Sequence, residues 1–280
     1  MSEYLDPDAS FRSQFGKQPF GLRHRLAHHP LFALPRLIEL AKCLPARFVE
    51  YNAGDVPISL DPAKTPRNGL SPEETVRRIE ECRSWLALRN AEQDPDYRAL
   101  LHRVVDEVRP HVQDAIHDAG AFIFVSSPGA VAPYHMDPEE NLLFQIRGSK
   151  RVHIFDPSDR SLLSQEELER FYSGAHCNLV YREAYAPKAR AFDLAPGEGV
   201  HIPLTAPHWV RNGGEVCISF SVTLYTRDCY RVSHVHHMNA RLRRWGIRPS
   251  PVGQSALRDG LKQLYLRAET RLLGKAHVRL

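Results

Sequence analysis

Three residues of this 280-residue chain have the types and spacing to hold a metal ion: His135, Asp137 and His208. His135 and Asp137 stand two apart within residues 133–150, PYHMDPEENLLFQIRGSK. In an extended strand residues i and i+2 share a face, so an imidazole and a carboxylate at that spacing grip one ion from one side. A third ligand must come from elsewhere, and the best candidate is His208 in IPLTAPHWVRN. Two histidines and one carboxylate on one face, with positions left open opposite, form the facial arrangement that suits non-haem Fe(II). Bringing His208 back beside His135 takes a closed sheet, because 73 residues separate them.

The elements that must do this positioning lie between residues 120 and 226. There the chain is a series of short β-rich runs: AFIFVSS, AVAPYHMD, NLLFQIRG, KRVHIFDP, ARAFDLAPGEG, VHIPLTA, HWVRN and EVCISFSVTLYT. Pro128-Gly129, Gly148, Pro196-Gly197-Glu198-Gly199 and Gly213-Gly214 punctuate them. Eight short strands at regular spacing match a double-stranded β-helix, the jelly-roll or cupin architecture. Ser164-Gln165-Glu166-Glu167 caps one inserted helix, expected to reach about Tyr172. Lys150 follows the Gly148 turn and starts a run, so it can point inward near the His135 strand.

Residues 1–119 read as a helical and irregular layer packed on that barrel, with no catalytic constellation of its own. The first seventy are irregular apart from a helix over 34–44 and a short strand over 48–51. Ser71-Pro72-Glu73-Glu74 starts a helix expected to run to about Arg83. A strand over 85–88 and a helix over 94–108 follow, and 111–117 reads as a short helical turn. Residues 227–280 form a basic helical extension, with helices over 234–245 and 255–273. In the second, Leu257, Leu261, Leu264, Ala268 and Leu272 make one apolar stripe beside Tyr265. Such a stripe folds back on a core or pairs with a second subunit, and core packing is the commoner use. The expectation is one catalytic unit, mainly β with α additions, with a homodimer through the C-terminal helices as an option.

Composition narrows the function classes. No run of eighteen uncharged apolar residues is present, so no membrane span is expected. The start, MSEYLDPDASF, lacks the basic-then-apolar order of a signal peptide. Five scattered cysteines without a CxxC pair argue against zinc ribbons and a disulfide framework, which fits a cytoplasmic protein. The formal charge of +4 is uneven: residues 227–280 hold twelve Lys/Arg against three Asp/Glu, a net of +9, and the rest holds 25 against 30, a net of −5. A basic tail can attract anionic partners, yet it carries no helix-turn-helix pattern, and nucleic acid is not the expected partner. P-loop, GxGxxG and Ser/His/Asp nucleophile signatures are absent from the sequence.

Taken together, His135-x-Asp137, Asn141 four residues on, Gly148-x-Lys150, Ile202-Pro203…His208 and Asn212-Gly213-Gly214 resemble the JmjC/cupin-like Fe(II)- and 2-oxoglutarate-dependent oxygenases. The branch resembled includes the hypoxia-factor asparaginyl hydroxylase, and the resemblance covers residues 120–226. It implies His135, Asp137 and His208 as iron ligands, and Lys150 as the cation for the distal carboxylate of 2-oxoglutarate. It places Asn141 and Ser221 among the candidates for the co-substrate's surroundings. It implies hydroxylation of an unactivated C–H bond with O2, coupled to decarboxylation of 2-oxoglutarate to succinate and CO2. The substrate is either a protein side chain or a small molecule. The departure is Ala132, where the branch often has a hydroxyl residue; Tyr134, Ser221, Thr223 and Tyr225 are the candidate replacements. Three other readings stand beside this one. His135 and Asp137 form a metal-free ion pair, or the metal serves non-oxidative cupin chemistry, or the protein is a ligand-binding regulator acting through its basic tail. His153, His176 and His201 read as packing or surface histidines, Trp209 as a pocket wall, and His234, His236 and His237 as solvated.

Overall fold

The structure, a computed structural model, describes residues 2–273; the end of the basic extension, 274–280, lies outside the described residues. Eleven strands and seven α-helices organise it. The strands are β1 (Phe20–Arg23), β2 (Val49–Ala53), β3 (Ser84–Leu88), β4 (Ile116–Ser126), β5 (Val131–His135), β6 (Glu140–Arg147), β7 (Lys150–Ile154), β8 (Arg190–Leu194), β9 (Glu198–Ile202), β10 (His208–Asn212) and β11 (Cys217–Thr226). The helices are α1 (Ala9–Gln14), α2 (Leu34–Cys43), α3 (Pro72–Arg77), α4 (Pro95–Val108), α5 (Gln165–Phe171), α6 (Arg227–Arg244) and α7 (Ala256–Leu273). The strands make two sheets, ordered β1-β9-β6-β11-β4-β3-β2 and β5-β10-β7-β8, with every pairing antiparallel. β4 to β11 are the eight runs read from the sequence, and the chain crosses between the sheets at nearly every turn. This is a double-stranded β-helix with helical additions.

Alternation along the strands sorts side chains into layers. Leu142, Phe144 and Ile146 of β6, with Phe220, Val222 and Leu224 of β11, face outward from the larger sheet. They pack under Leu37 and Leu40 of α2 and Tyr97, Leu101 and Val104 of α4. Between the sheets, Leu143, Val152, Ile154, Leu194, Val200, Ile202 and Val210 form a second cluster. The outer face of the smaller sheet buries Tyr134, Phe155 and Trp209 against Leu163, Leu168 and Tyr172. Capping fixes the helix starts: Ser71 Oγ accepts from Glu74 N, Asp94 from Asp96 N, and Ser164 with Glu167 forms a reciprocal capping box.

Several sequence expectations are corrected. β2 and β3 fall where strands were expected, but with β1 they join the larger sheet instead of forming a layer packed on it, and α1 and β1 sit where an irregular segment was expected. α3 ends at Arg77, short of Arg83, because the chain leaves helical geometry at its C-cap, Arg78, with φ −103° and ψ 18°. The helical turn expected over 111–117 is a 3-10 turn at Arg109–His111, and β4 has begun by Ile116. α6 starts at Arg227, capped by Thr226, rather than at 234. The α7 stripe packs into no core, and its leucines face outward. Among the described residues, no helix is long and apolar enough to cross a membrane.

Candidate metal centre

β10 is the strand that assembles the site. Its first residue, His208, pairs in register with His135, the last residue of β5, and its other neighbour is β7, where Asn212 pairs with Lys150. Side chains directly opposite across an antiparallel pair share a face, as do residues i and i+4 along a strand. His135, His208, Asn212 and Lys150 therefore all turn toward the space between the sheets. Asp137 lies beyond the end of β5 instead of on the strand with His135, a correction to the strand-based spacing argument. It reaches the same point because the Thr205 N–H donates to its carbonyl at 3.0 Å. Thr205 itself holds φ +57°, which is costly for a β-branched residue. That turn ties the segment carrying Asp137 to the segment carrying His208.

One ligand atom from each of His135, Asp137 and His208 lies within 4.8 Å of the others, and this is the one such group among the described residues. His208 Nε2 is 3.6 Å and His135 Nε2 4.0 Å from Asp137 Oδ2. Each imidazole is braced alike: His135 Nδ1 lies 2.6 Å from the Pro133 carbonyl and His208 Nδ1 2.9 Å from the Ala206 carbonyl. A carbonyl only accepts, so each Nδ1 carries the proton and each Nε2 presents its lone pair to the shared point. Burial pushes the His208 imidazole below its usual range, with His135 adding to the shift, which keeps it neutral. Two imidazoles oriented through their Nδ1–H bonds, opposite one carboxylate, are the donor set a divalent ion needs.

The centre opens on a cavity of about 1840 Å³ between the sheets and β2, β3 and α4. Lys150 is buried on its wall, with no carboxylate in ion-pair reach among the described residues. Burial lowers its ammonium to about 8. Gly148 makes its position possible, turning at φ +68° where a Cβ would lie 2.5 Å from the Val216 carbonyl. On the opposite wall Ser221 Oγ donates to Asn141 Oδ1 at 2.8 Å, so those two satisfy each other. Thr223 Oγ1 and Asn212 Oδ1 are buried on the cavity wall without a partner. Gly120, directly across from Thr223, leaves the threonine room: a Cβ there would meet Oγ1 at 2.8 Å. Of the candidate hydroxyls, Tyr134 points into the outer cluster with Phe155, and Tyr225 lines the cavity. Glu139 also lines it, its carboxyl raised well above the usual range by burial and by Asp137.

The other singled-out residues sit elsewhere. His201 is fully buried, with Nε2 2.8 Å from Glu140 Oε2 and its ring against Phe15 and Phe20, a packing residue. Trp209 is no pocket wall; it stacks on His153 outside the smaller sheet at 4.0 Å. Its position next to His208 on a strand signals that outcome, since neighbours point to opposite faces. His236 is buried and stacked on Tyr172, not solvated. Asn212 escaped the sequence reading as a wall residue because it reads first as part of the Asn-Gly-Gly turn.

A family model for the cupin-like domain matches residues 73–223, more than half of the chain. The chain belongs to the cupin-like domain family. This member is 32% identical over 103 residues to Jumonji C domain-containing protein 5 of Drosophila melanogaster, across 35% of its own length and 25% of that protein. It is 26% identical over 142 residues to lysine-specific demethylase 8 of Xenopus tropicalis, across 47% of its length and 28% of that protein. The matches thus span about a quarter of those relatives. In fold, this cupin-like protein resembles YcfD of Escherichia coli, with a TM-score of 0.54, 16% identity and coverage of 98% of this chain and 70% of that one. YcfD, described as a ribosomal oxygenase, has also been solved with cobalt and 2-oxoglutarate, and that structure superposes with a TM-score of 0.53 at 16% identity, covering 97% and 68% of the two chains.

Proposed function

We propose that this protein is an Fe(II)- and 2-oxoglutarate-dependent dioxygenase that hydroxylates a protein side chain. The observation that carries the reading is the pairing of two features on one cavity: a braced His135/Asp137/His208 set and a buried, unpaired Lys150. The first fits an ion and the second fits an anion. A non-oxidative metal site would leave Lys150 without a task. The relatives whose names point to demethylation and the cobalt and 2-oxoglutarate complex of YcfD support the same reading.

His135, Asp137 and His208 would hold Fe(II) through Nε2, a carboxylate oxygen and Nε2. With 2-oxoglutarate and O2 the centre would supply the oxidising power that hydroxylates an unactivated C–H bond, releasing succinate and CO2. Lys150 pairs the distal carboxylate of the co-substrate, a charge that a buried wall accepts only beside a cation. Thr223 Oγ1 stands in for the hydroxyl missing at Ala132, because Ser221 already serves Asn141, Tyr134 faces away, and of Thr223 and Tyr225 on the cavity wall Thr223 is the one with a buried, unpartnered hydroxyl. Leu143, Val210 and Ile202 on the cavity wall keep water from the reacting end. The cavity exceeds the roughly 300–1,000 Å³ of a small-ligand pocket, which favours a polypeptide segment over a free metabolite. All five cysteines are unpaired, which supports a reducing compartment such as the cytoplasm.

The test is anaerobic titration of the metal-free protein with Fe(II) and 2-oxoglutarate, followed by the weak visible charge-transfer band of the chelate. The band is expected in the wild type, and in neither His135→Ala nor Lys150→Ala at matched co-substrate. Iron binding without a band in the wild type would overturn the co-substrate assignment.

A further inference from the structure

The registers of three strands in the larger sheet lay an acidic strip along the cavity. β11 pairs Thr223 with Asn141 and Leu224 with Glu140 of β6, so one further step sets Tyr225 opposite Glu139. On its other side β11 pairs Tyr225 with Asp118 and Thr223 with Gly120 of β4. Alternate residues of a strand share a face. Glu139, Tyr225 and Asp118 therefore form a row on the same inner face as Asn141, Thr223 and Gly120, and all three line the cavity. The row runs from buried Glu139 to exposed Asp118, from the interior to the mouth.

Neither carboxylate has a cation. Glu139 is 6% exposed, and its Oε2 is buried without a hydrogen-bond partner. Arg89 acts on it only from a distance and pairs with Glu50 at 3.8 Å instead. Asp118 accepts from Ala119 N at 2.8 Å and has no ion-pair partner among the described residues. Tyr225 stands between the two acids. Burial pushes its hydroxyl well up, with Glu139, Asp137 and Asp118 adding to the shift. A second ring, Tyr230, lies 6.4 Å from that of Tyr225 and lines the same cavity.

A buried carboxylate without a cation burdens the fold, and the strip indicates what relieves it. A neutral donor would satisfy Oε2 and leave the charge unmatched. A cation does both, and the faces of tyrosine rings attract it further. The two acids sit on the strands flanking β11, two strand spacings or roughly 9–10 Å apart. With the Tyr225 ring between them, each takes its own cation. That span is about two to three residues of extended chain.

We propose that this strip binds a basic stretch of the substrate polypeptide, one cationic side chain on Glu139 and a second on Asp118. The proposal rests on the reading of the protein as an oxygenase of polypeptides, and adds a sequence requirement to it. The substrate carries two basic residues two or three apart, close to the residue that is hydroxylated.

The experiment is fluorescence anisotropy of a labelled hexapeptide of alternating glycine and arginine, titrated with the full chain loaded anaerobically with Fe(II) and 2-oxoglutarate. Its control is the same peptide with citrulline for arginine, equal in shape and uncharged. The wild type is expected to bind the arginine peptide about tenfold more tightly and to lose the preference at high salt. The double variant Glu139→Gln, Asp118→Asn is expected to bind both peptides alike. Equal binding by the wild type, or a preference that survives in the folded double variant, overturns the proposal. Should the double variant not fold, Asp118→Asn alone, at an exposed position, is expected to lower the preference about threefold, and an unchanged preference there counts against the strip. The charge-transfer band of the wild type separates the two readings. A preference without the band supports the strip and sinks the oxygenase, and a band without the preference sinks the strip alone.

Discussion

The cavity wall and the outer face of α7 both leave groups unmatched, and the groups are opposite in kind. On the wall they are polar: Thr223 Oγ1 and Asn212 Oδ1 are buried without partners, and the buried Lys150 has no carboxylate in ion-pair reach among the described residues. On α7 they are leucines in water. A buried polar group without a partner costs the fold about 1–3 kcal/mol, so the folded chain carries a penalty there that a ligand can remove. An exposed leucine costs the fold little, because it is just as exposed when unfolded. One region thus burdens the folded chain, and the other does not.

Three variants sharpen that contrast. The largest effect is expected from His208→Ala, which should abolish metal retention after dialysis, read by elemental analysis, while circular dichroism stays native. Full occupancy in that variant would remove His208 from the ligand set and erase the polar side of the contrast. Lys150→Ala should come next, raising KM for 2-oxoglutarate by about 1.5–3 kcal/mol, or about 10- to 150-fold, with metal still bound. The wild type should show the same loss as pH rises. With its ammonium lowered to about 8, Lys150 is charged below that pH and neutral above it. KM should therefore climb between pH 7 and 9 in the wild type and stay flat in Lys150→Ala. A parallel climb in the variant would point to another cation.

The smallest effects pair the two regions directly. Thr223→Val should raise the melting temperature slightly, by removing an orphaned hydroxyl, and weaken 2-oxoglutarate binding by about 0.5–1.5 kcal/mol. Leu264→Ala should leave the melting temperature nearly unchanged, with stability within about 0.5 kcal/mol. A large stability loss from Leu264→Ala would mean that the α7 leucines are packed.

The clustering of His135, Asp137 and His208 was legible because its signal is local: histidine and carboxylate two apart, then a histidine that follows a proline and enters a strand. The eight strands were legible from their turns. What escaped depends on distant partners. Phe20 and Leu22 of β1 alternate with polar positions like any edge strand, but only pairing with β9 decides that they belong to the sheet. Periodicity located the α7 stripe and said nothing of its direction, which Asp259, Glu269 and Leu266 determine by docking the other side. Asp137 was misplaced onto a strand because spacing two apart does not reveal where β5 stops. The Ser221–Asn141 bond and the outward turn of Tyr134 left Thr223 and Tyr225 of the four candidate hydroxyls, and of these two Thr223 Oγ1 is the one buried without a partner.

The register of β10 has a further consequence. The strand is held on both sides, by β5 and β7, and carries His208 and Trp209 on opposite faces. A slip of one residue would exchange those faces. It would drive an indole into the cavity and leave an imidazole among Tyr181 and Phe155, where the indole now sits. A misthreaded chain therefore forfeits an aromatic cluster and a binding site in the same step. Quality control that senses only loose packing would discard the inactive form, with no need to inspect its chemistry.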